Sequence, residues 1–233
     1  MTIKDLLKQA EKKLKKTINT SYQLDSEILL SKVLQKKREF ILLNLDKEPG
    51  IEKSNLYKDL IHQRSLGKPI AHLMGKKDFW KYEFVVSNNV LIPRPDTEII
   101  VEKVLEVTKY KSRLKILDIG VGSGCILLSI LKERPNFNGV GVDLSKKCLD
   151  ICKINAFKLD IENRVKFLKS DIDNFNYGKY DLIISNPPYI KKTDLKYLEN
   201  DVIDFEPVKA LDGGLDGLSE IRKVINRSSE LIK

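Results

Sequence analysis

Residues 115–124 read Lys-Ile-Leu-Asp-Ile-Gly-Val-Gly-Ser-Gly, an apolar run followed at once by glycines at alternate positions. Short runs rich in Ile and Leu that end at turn-forming residues are typical of buried strands. Similar runs alternate along the chain with segments of helical periodicity, a pattern that favours a parallel sheet covered on both faces. After this first strand we predict helix 125–133, strand 139–142, a helix from 145 to about 158, strands 165–168 and 182–184, and helix 217–232. The sequence therefore predicts a Rossmann-like α/β fold.

The glycine-rich loop after the first strand predicts a binding site. It consists of Gly120, Val121, Gly122, Ser123 and Gly124. Glycines tolerate positive φ and let the backbone approach a ligand closely. Their spacing, just after Asp118, is not the Gly-x-Gly-x-x-Gly of dinucleotide sites. An acid here suits a ligand with a cationic centre better than it suits a pyrophosphate.

Three acids stand at or near the carboxyl ends of successive predicted strands, where ligand crevices of such sheets form. Asp118 precedes the glycine loop, Asp143 ends the next strand, and Asp171 follows the third. A carboxylate at the position of Asp143 can accept both ribose hydroxyls. Asp171 can accept from an adenine amino group, with Ile172 packed on the ring. Each acid alone could be a helix cap, but together they favour S-adenosylmethionine as the cofactor.

The stretch Ser185-Asn186-Pro187-Pro188-Tyr189-Ile190 follows the last predicted strand. Neither proline can donate a ladder hydrogen bond, and Pro187 biases Asn186 toward an extended backbone. The carboxamide of Asn186 and the backbone carbonyl of Pro187 can accept two hydrogen bonds from one planar NH2 group, which Tyr189 could cover. The alternative is a plain turn-forming proline pair. We predict a substrate site formed by Asn186, Pro187, Pro188 and Tyr189, with Asn186 also beside the cofactor.

Residues 1–75 predict a small helical domain. Apolar residues recur at helical spacing over 2–18, 24–34 and 56–61, and Ser54 is a candidate N-cap. This region holds 15 Lys and Arg against 9 Asp and Glu, a net charge of +6 out of the +9 of the whole chain. The domain could select a macromolecular partner or could serve only for packing.

Residues 76–95 predict a β-hairpin linker, with a strand over 79–86, a turn at 87–89 and a strand over 90–92. Pro93-Arg94-Pro95 then leads into a helix that Asp96 or Thr97 could cap. Helix capping does not explain Arg94, which we expect to face the substrate. Residues 96–233 would form the catalytic domain.

The bulk composition narrows the class of protein. The 233 residues contain no apolar run long enough for a membrane span and begin without the apolar core of a signal peptide. The three cysteines form no CxxC pair, so we expect reduced thiols in a cytoplasmic protein and no metal site.

These motifs resemble one known family, the HemK-type (PrmC) protein-glutamine methyltransferases, which modify peptide-chain release factors. The resemblance covers nearly the whole chain. It rests on segments 91–98, 117–124 and 185–190, on Phe205-Glu206-Pro207 and Ala210-Leu211, and on Gly214-Leu215-Asp216-Gly217-Leu218. The Asn-Pro-Pro-Tyr motif alone is shared with adenine-N6 methyltransferases, whereas segments 91–98 and 205–211 are more specific.

The resemblance implies that residues 120–124, Asp143, Asp171 and Ile172 bind S-adenosylmethionine. It implies that residues 186–189 hold the glutamine of a Gly-Gly-Gln tripeptide in a release factor, either free or bound to the ribosome. It also implies that the basic helical domain docks the rest of that factor. We expect a monomer with no nucleic-acid substrate.

Members of that family usually continue with two more strands after the helix that corresponds to 217–232. We therefore expect a sheet that lacks its last strands and exposes an edge. Two other functions stay open at this point. One is methylation of an adenine amino group in nucleic acid, which would require base flipping. The other is a non-catalytic module that only binds cofactor and partner.

Overall fold

The chain folds into two compact units, Met1–Gly75 and Lys76–Lys233. The computed structural model describes residues 1–17 and 20–233. No helix within these residues is long and apolar enough to cross a membrane.

The first unit is helical, as its periodicity predicted. Its helices are α1 (Ile3–Leu14), α2 (Tyr22–Leu34), α3 (Arg38–Leu43), α4 (Ile51–Ser65) and α5 (Ile70–Met74). Thr2 caps α1 by accepting from the backbone N–H of Asp5, whose carboxylate accepts in return from the Thr2 N–H. The apolar faces of these helices enclose one core.

Two predictions for this unit are wrong in detail. Helix α1 ends at Leu14, well before the predicted end at 18, and Ile18 lies outside the described residues. Ser54 is not an N-cap, because α4 begins at Ile51, after Gly50 with its φ of 88°. Ser54 is instead buried inside the helix, where its hydroxyl donates to the Gly50 carbonyl at 2.7 Å.

The second unit begins with an antiparallel hairpin, β1 (Lys76–Phe79) and β2 (Tyr82–Val85). The hairpin predicted within 76–95 is therefore present, but its bounds are wrong: the turn falls at Trp80 and Lys81, inside the strand predicted over 79–86, and residues 90–92 form no strand. Trp80 takes a φ of 57° without being a glycine. Its backbone N–H donates to Glu98 and its indole N–H to Glu133, so long-range contacts hold this turn.

The remaining elements follow the predicted alternation closely. They are α6 (Glu98–Val107), β3 (Lys115–Ile119), α7 (Cys125–Glu133), β4 (Asn138–Asp143), α8 (Lys146–Lys158), β5 (Val165–Lys169), β6 (Leu182–Ser185), α9 (Asn200–Ile203) and α10 (Ser219–Leu231). A short 3-10 turn, Pro95–Thr97, precedes α6, and neither Asp96 nor Thr97 caps the helix with its side chain. That predicted cap is wrong.

Strands β3 to β6 form a parallel sheet in the order β5-β4-β3-β6. Alternate residues of β3 face opposite sides: Ile116 packs with α6, α7 and α8, whereas Leu117 packs with Phe175 and Leu231. At the edge of β6, an isolated parallel bridge joins Tyr180 to Ile232.

Candidate active site

The carboxyl ends of the four parallel strands bring the predicted site residues to one edge of the sheet. Ile119, the last residue of β3, pairs with Ser185, the last residue of β6. The Ser185 hydroxyl donates to the Ile119 carbonyl at 2.7 Å. The glycine loop and the Asn-Pro-Pro-Tyr segment therefore leave the sheet as neighbours, beginning at Gly120 and Asn186.

The glycine loop adopts the backbone that its composition predicted. Gly120, Gly122 and Gly124 have φ values of 75°, 56° and 83°. A Cβ at Gly120 would meet nothing within 4 Å, so open space lies beside the loop. Asp143 accepts from the Gly122 N–H at 3.0 Å and from the Ser145 N–H at 2.9 Å. The carboxylate thus lies against the loop at the end of β4.

Asp118 is a buried carboxylate that the protein leaves unpaired. It is 1% exposed, and among residues 1–17 and 20–233 neither carboxylate oxygen has a hydrogen-bond partner. Burial raises the pKa of Asp118 to about 7, and the nearby Asp143 carboxylate acts in the same direction. An orphaned buried carboxylate is costly unless a cation or donor completes it. The residues therefore fit a ligand with a positive centre.

The turn after β5 is held by the last helix. Asp171 accepts from the Asp173 N–H at 3.1 Å, which closes the turn. Arg227 of α10 donates through Nε to the Ile172 carbonyl at 3.2 Å and through Nη2 to the Asp173 carbonyl. The Ile172 side chain is 8% exposed and packs in the core beside β3. Its contact with an adenine ring stays a prediction.

Asn186 lies at the mouth of the site, partly exposed. Its Nδ2 lies 3.5 Å from Oγ1 of Thr97, a hydroxyl just before α6. This contact leaves Oδ1 of Asn186 as an acceptor for a ligand. Tyr189 is 65% exposed and available to cover such a ligand.

A glycine-rich segment packs directly behind Tyr189. Ile190 donates to the Leu211 carbonyl at 3.1 Å, and the Gly213 N–H donates to the Ile190 carbonyl at 2.8 Å. A Cβ at Gly213 would lie 2.8 Å from Cα of Tyr189, and one at Gly217 would lie 2.6 Å from its carbonyl oxygen. The backbone path of Tyr189 therefore depends on the absence of side chains at these glycines.

Arg94 makes an ion pair with Glu206, Nη2 to Oε1 at 2.5 Å. The Glu206 side chain is 1% exposed and also accepts from the Ile92 N–H at 3.1 Å. Arg94 therefore pairs with Glu206, a contact that the sequence did not predict. Its remaining donors are partly exposed, and contact with a substrate stays a prediction.

A cavity of about 470 Å³ lies at the opposite edge of the sheet, at the amino ends of β3, β4 and β5. Its cationic lining residues are Arg113, Lys115, Arg164, Lys166 and Lys233. Lys233 is already paired with Asp181 at 2.7 Å. Because the cavity is far along the strands from the glycine loop, it is separate from the site described above.

Comparison with known proteins decides the family. Residues 5–75 match the PrmC N-terminal domain, and residues 95–205 match the methyltransferase small domain. The chain is 40% identical over 232 residues to a release factor glutamine methyltransferase of Buchnera aphidicola subsp. Schizaphis graminum. It is 41% identical over 238 residues to that of Clostridium acetobutylicum. These alignments cover all of this chain and 82% and 83% of the two relatives.

The chain belongs to the release factor glutamine methyltransferase family. This membership confirms the family that the motifs resembled, the Rossmann-like α/β fold and the predicted cofactor, S-adenosylmethionine. A solved SAM-dependent methyltransferase of Geobacter sulfurreducens, in complex with S-adenosyl-L-homocysteine, shares 16% identity and a TM-score of 0.38. That match covers 63% of this chain and 46% of that one.

Sequence reasoning missed two groups at the site of this family member. Thr97 was assigned only a capping role, yet its hydroxyl lies beside Asn186. Glu206 lies in the segment 205–211 that carries the family resemblance, and its carboxylate joins Ile92 and Arg94 across more than 100 residues. No periodicity signals such long-range contacts. A Glu next to Pro207 in an otherwise irregular segment was the available hint.

Proposed function

We propose that this protein transfers a methyl group from S-adenosylmethionine to the side-chain amide nitrogen (N5) of the glutamine in the Gly-Gly-Gln motif of peptide-chain release factors. The pairing of Ile119 with Ser185 carries the proposal, because it makes the glycine loop and the Asn-Pro-Pro-Tyr segment neighbours. A methyl donor and a carboxamide acceptor can then meet at one edge of the sheet.

The cofactor side of the site would be formed by the loop over residues 120–124 and by Asp118, Asp143 and Asp171. The unpaired carboxylate of Asp118 matches the positive charge of the cofactor. When bound, the cofactor supplies an electrophilic methyl group on its sulfonium. Asp143, which already lies against the loop, is placed to accept from ribose hydroxyls.

The substrate side would be formed by Asn186, Pro187, Pro188 and Tyr189. Oδ1 of Asn186 and the backbone carbonyl of Pro187 accept the two N–H groups of the glutamine amide. An amide nitrogen is a poor nucleophile because its lone pair is delocalised. Acceptors placed for a pyramidal nitrogen bind the transition state better than the ground state, which accelerates transfer. Tyr189 stacks on the amide and fixes its direction.

The proton balance needs no dedicated base. Transfer of the methyl group that the cofactor would supply to the amide nitrogen would give an N-alkylated amide cation. Such an N-alkylated amide cation is strongly acidic and loses a proton to water. The chain's own contribution would therefore be positioning of the amide.

We propose that the basic helical unit, residues 1–75, binds the body of the release factor. Its net charge of +6 supports a role in recognising an acidic or ribonucleoprotein surface.

The decisive experiment is incubation with a purified release factor and S-adenosylmethionine, followed by mass spectrometry of the Gly-Gly-Gln peptide. We expect a gain of one methyl on the glutamine, and none on a matched factor in which that glutamine is replaced by glutamate. Transfer of labelled methyl to DNA or RNA instead would indicate an adenine amino methyltransferase. Tight cofactor binding without transfer to any of these would indicate a non-catalytic module.

A further inference from the structure

One face of α8 carries three hydrogen-bonding side chains at helical spacing, Cys148, Cys152 and Asn155. All three are buried, between 0% and 7% exposed. Cys148 Sγ lies 3.1 Å from the carbonyl of Asn89, and Cys152 Sγ lies 3.1 Å from the carbonyl of Gly122. This polar face therefore contacts the glycine loop and the segment after the hairpin at once.

Asn155 makes the most complete set of contacts. Its Oδ1 accepts from the Val85 N–H at 2.7 Å, and its Nδ2 donates to the Val85 carbonyl at 3.0 Å. The same Nδ2 donates to the Ser123 carbonyl at 2.9 Å. The carboxamide thus pairs with Val85 as a neighbouring peptide unit would, and uses its second N–H to hold the glycine loop. A buried amide with its donors and acceptor satisfied specifies one geometry.

Cys152 holds the adjacent carbonyl of the loop. Burial raises the pKa of its thiol well above the ordinary value, so the sulfur keeps its proton and can donate. Two successive loop carbonyls, those of Gly122 and Ser123, are therefore bound from behind by α8. Fixing these carbonyls fixes the peptide planes of a loop whose glycines would otherwise be flexible.

We propose that Asn155 and Cys152 are positioning residues for the cofactor loop, and that Asn155 makes the β1–β2 hairpin a structural part of the cofactor site. The inference rests on the proposed assignment of residues 120–124 to S-adenosylmethionine. The hairpin strand supplies a rigid backbone at Val85, Asn155 transmits that position to Ser123, and the loop is held in its binding conformation before the cofactor arrives. Such preorganisation lowers the entropy lost on binding.

The test is calorimetric binding of S-adenosylmethionine to Asn155→Ala, Asn155→Asp, Cys152→Ala and Cys152→Ser. Asn155→Ala should raise the Kd by about 10- to 100-fold, because a buried hydrogen-bonded group is lost. Asn155→Asp keeps the shape without the two donated bonds and should also bind weakly. Cys152→Ser keeps a donor and should bind more tightly than Cys152→Ala. Hydrogen exchange of residues 120–124 should accelerate in the weak binders, while KM for the protein substrate stays within about twofold.

Thr108→Val is the matched control. Thr108 is 3% exposed and donates to the Val104 carbonyl at 2.6 Å at the end of α6. It should lose stability without changing the Kd for the cofactor. Equal cofactor affinity in folded Asn155→Ala, Thr108→Val and the parent would overturn the inference.

Gly122→Ala separates this inference from the site assignment. Its Cβ would meet only the Gly120 carbonyl, at 3.9 Å, but the φ of 56° strains any side chain there. Unchanged cofactor binding in Gly122→Ala would show that the loop is not the cofactor site. Weakened binding in Gly122→Ala together with normal binding in Asn155→Ala would reject only the positioning role.

Discussion

At the scale of single residues, the carboxamide of Asn186 is held by one weak contact, and its role in substrate binding is a proposal to be tested. Its Nδ2 reaches Thr97 Oγ1 at 3.5 Å, which orients the carboxamide without occupying Oδ1. We expect Asn186→Ala to lower kcat at least about 100-fold, as loss of a hydrogen bond in the transition state does. The Kd for S-adenosylmethionine should stay within about threefold.

Thr97 provides the companion test of orientation. Thr97→Ser, which retains the hydroxyl, should keep most turnover, whereas Thr97→Val should lose about tenfold in kcat. Collapse of cofactor binding in Asn186→Ala, measured by calorimetry, would contradict the substrate role assigned to this residue.

Asp118 should make the stability of the folded protein depend on pH. Burial raises the pKa of Asp118 to about 7, above its ordinary value near 3.8. The protonated form is thus favoured in the folded protein, and the stability it contributes is lost as pH rises through about 7. Asp118→Asn should therefore raise Tm by several degrees at pH 8, by less at pH 5, and change it little below about pH 4.

The same carboxylate should make cofactor binding depend on pH. A cationic ligand requires ionised Asp118, so the Kd should rise by up to about tenfold per pH unit below pH 7. Asp118→Asn should bind weakly at every pH and lose this slope, as measured by calorimetry from pH 5 to 8. An unchanged slope in Asp118→Asn would assign the titration to another group, such as Asp143.

At the scale of elements, the segment that contains Gly213 and Gly217 packs so closely against the backbone of Tyr189 that one added methyl group would force a displacement. Gly213→Ala would place a Cβ 2.8 Å from the Cα of Tyr189, so one backbone must move. We expect kcat to fall about tenfold or more, because small misplacements of reacting groups are costly. Steady-state kinetics with a release factor measures this.

Gly139→Ala is a suitable comparison for that variant. Its Cβ would overlap the tips of Leu127 and Leu131 side chains, 2.9 Å away, within the core. It should lower Tm more than it lowers kcat. Equal loss of kcat in both variants would remove any special role of Gly213.

The sheet could be predicted from sequence because each buried strand is a short apolar run that ends at turn-forming residues. Helix α7 was predicted at its observed bounds for the same reason, since Gly124 precedes it and its apolar residues recur at helical spacing. A hairpin within residues 76–95 is predicted by the sequence, but the position of its turn could not be predicted. Alternation continued through Trp80, and the contacts with Glu98 and Glu133 that hold its turn come from distant parts of the chain.

The positions of the candidate site residues could be predicted where they follow directly from strand ends. Asp118, Asp143 and Asn186 lie at or next to the carboxyl ends of parallel strands, and parallel pairing brings those ends to one edge. Their roles stay predictions. The partner of Arg94 was not predictable, because Glu206 lies in an irregular segment and reaches Arg94 only after folding. Contacts between side chains that are distant in the sequence produce no periodic pattern from which they could be predicted.

At the scale of the whole molecule, the uneven charge is the main feature. The first 75 residues carry +6 of the total +9. If this unit attracts the protein substrate, Lys8→Glu combined with Lys12→Glu on α1 should raise KM for the release factor about two- to tenfold with unchanged kcat. The effect should shrink as ionic strength rises, which kinetics from 50 to about 300 mM salt would show.

Lys166→Glu combined with Lys169→Glu on β5 is the matched charge reversal in the other unit. This pair should raise KM for the release factor less than Lys8→Glu combined with Lys12→Glu does. If both pairs raise KM equally, the helical unit has no special part in attraction and net charge alone explains it.

Trp80 is an intrinsic fluorescent reporter of the β1–β2 hairpin. It is the chain's single tryptophan, half-buried at the hairpin turn with its indole N–H bonded to Glu133. Its fluorescence therefore originates from the same hairpin that Asn155 joins, through Val85, to the glycine loop. Emission recorded while the methyl donor is titrated would follow that hairpin directly in unlabelled protein, in real time.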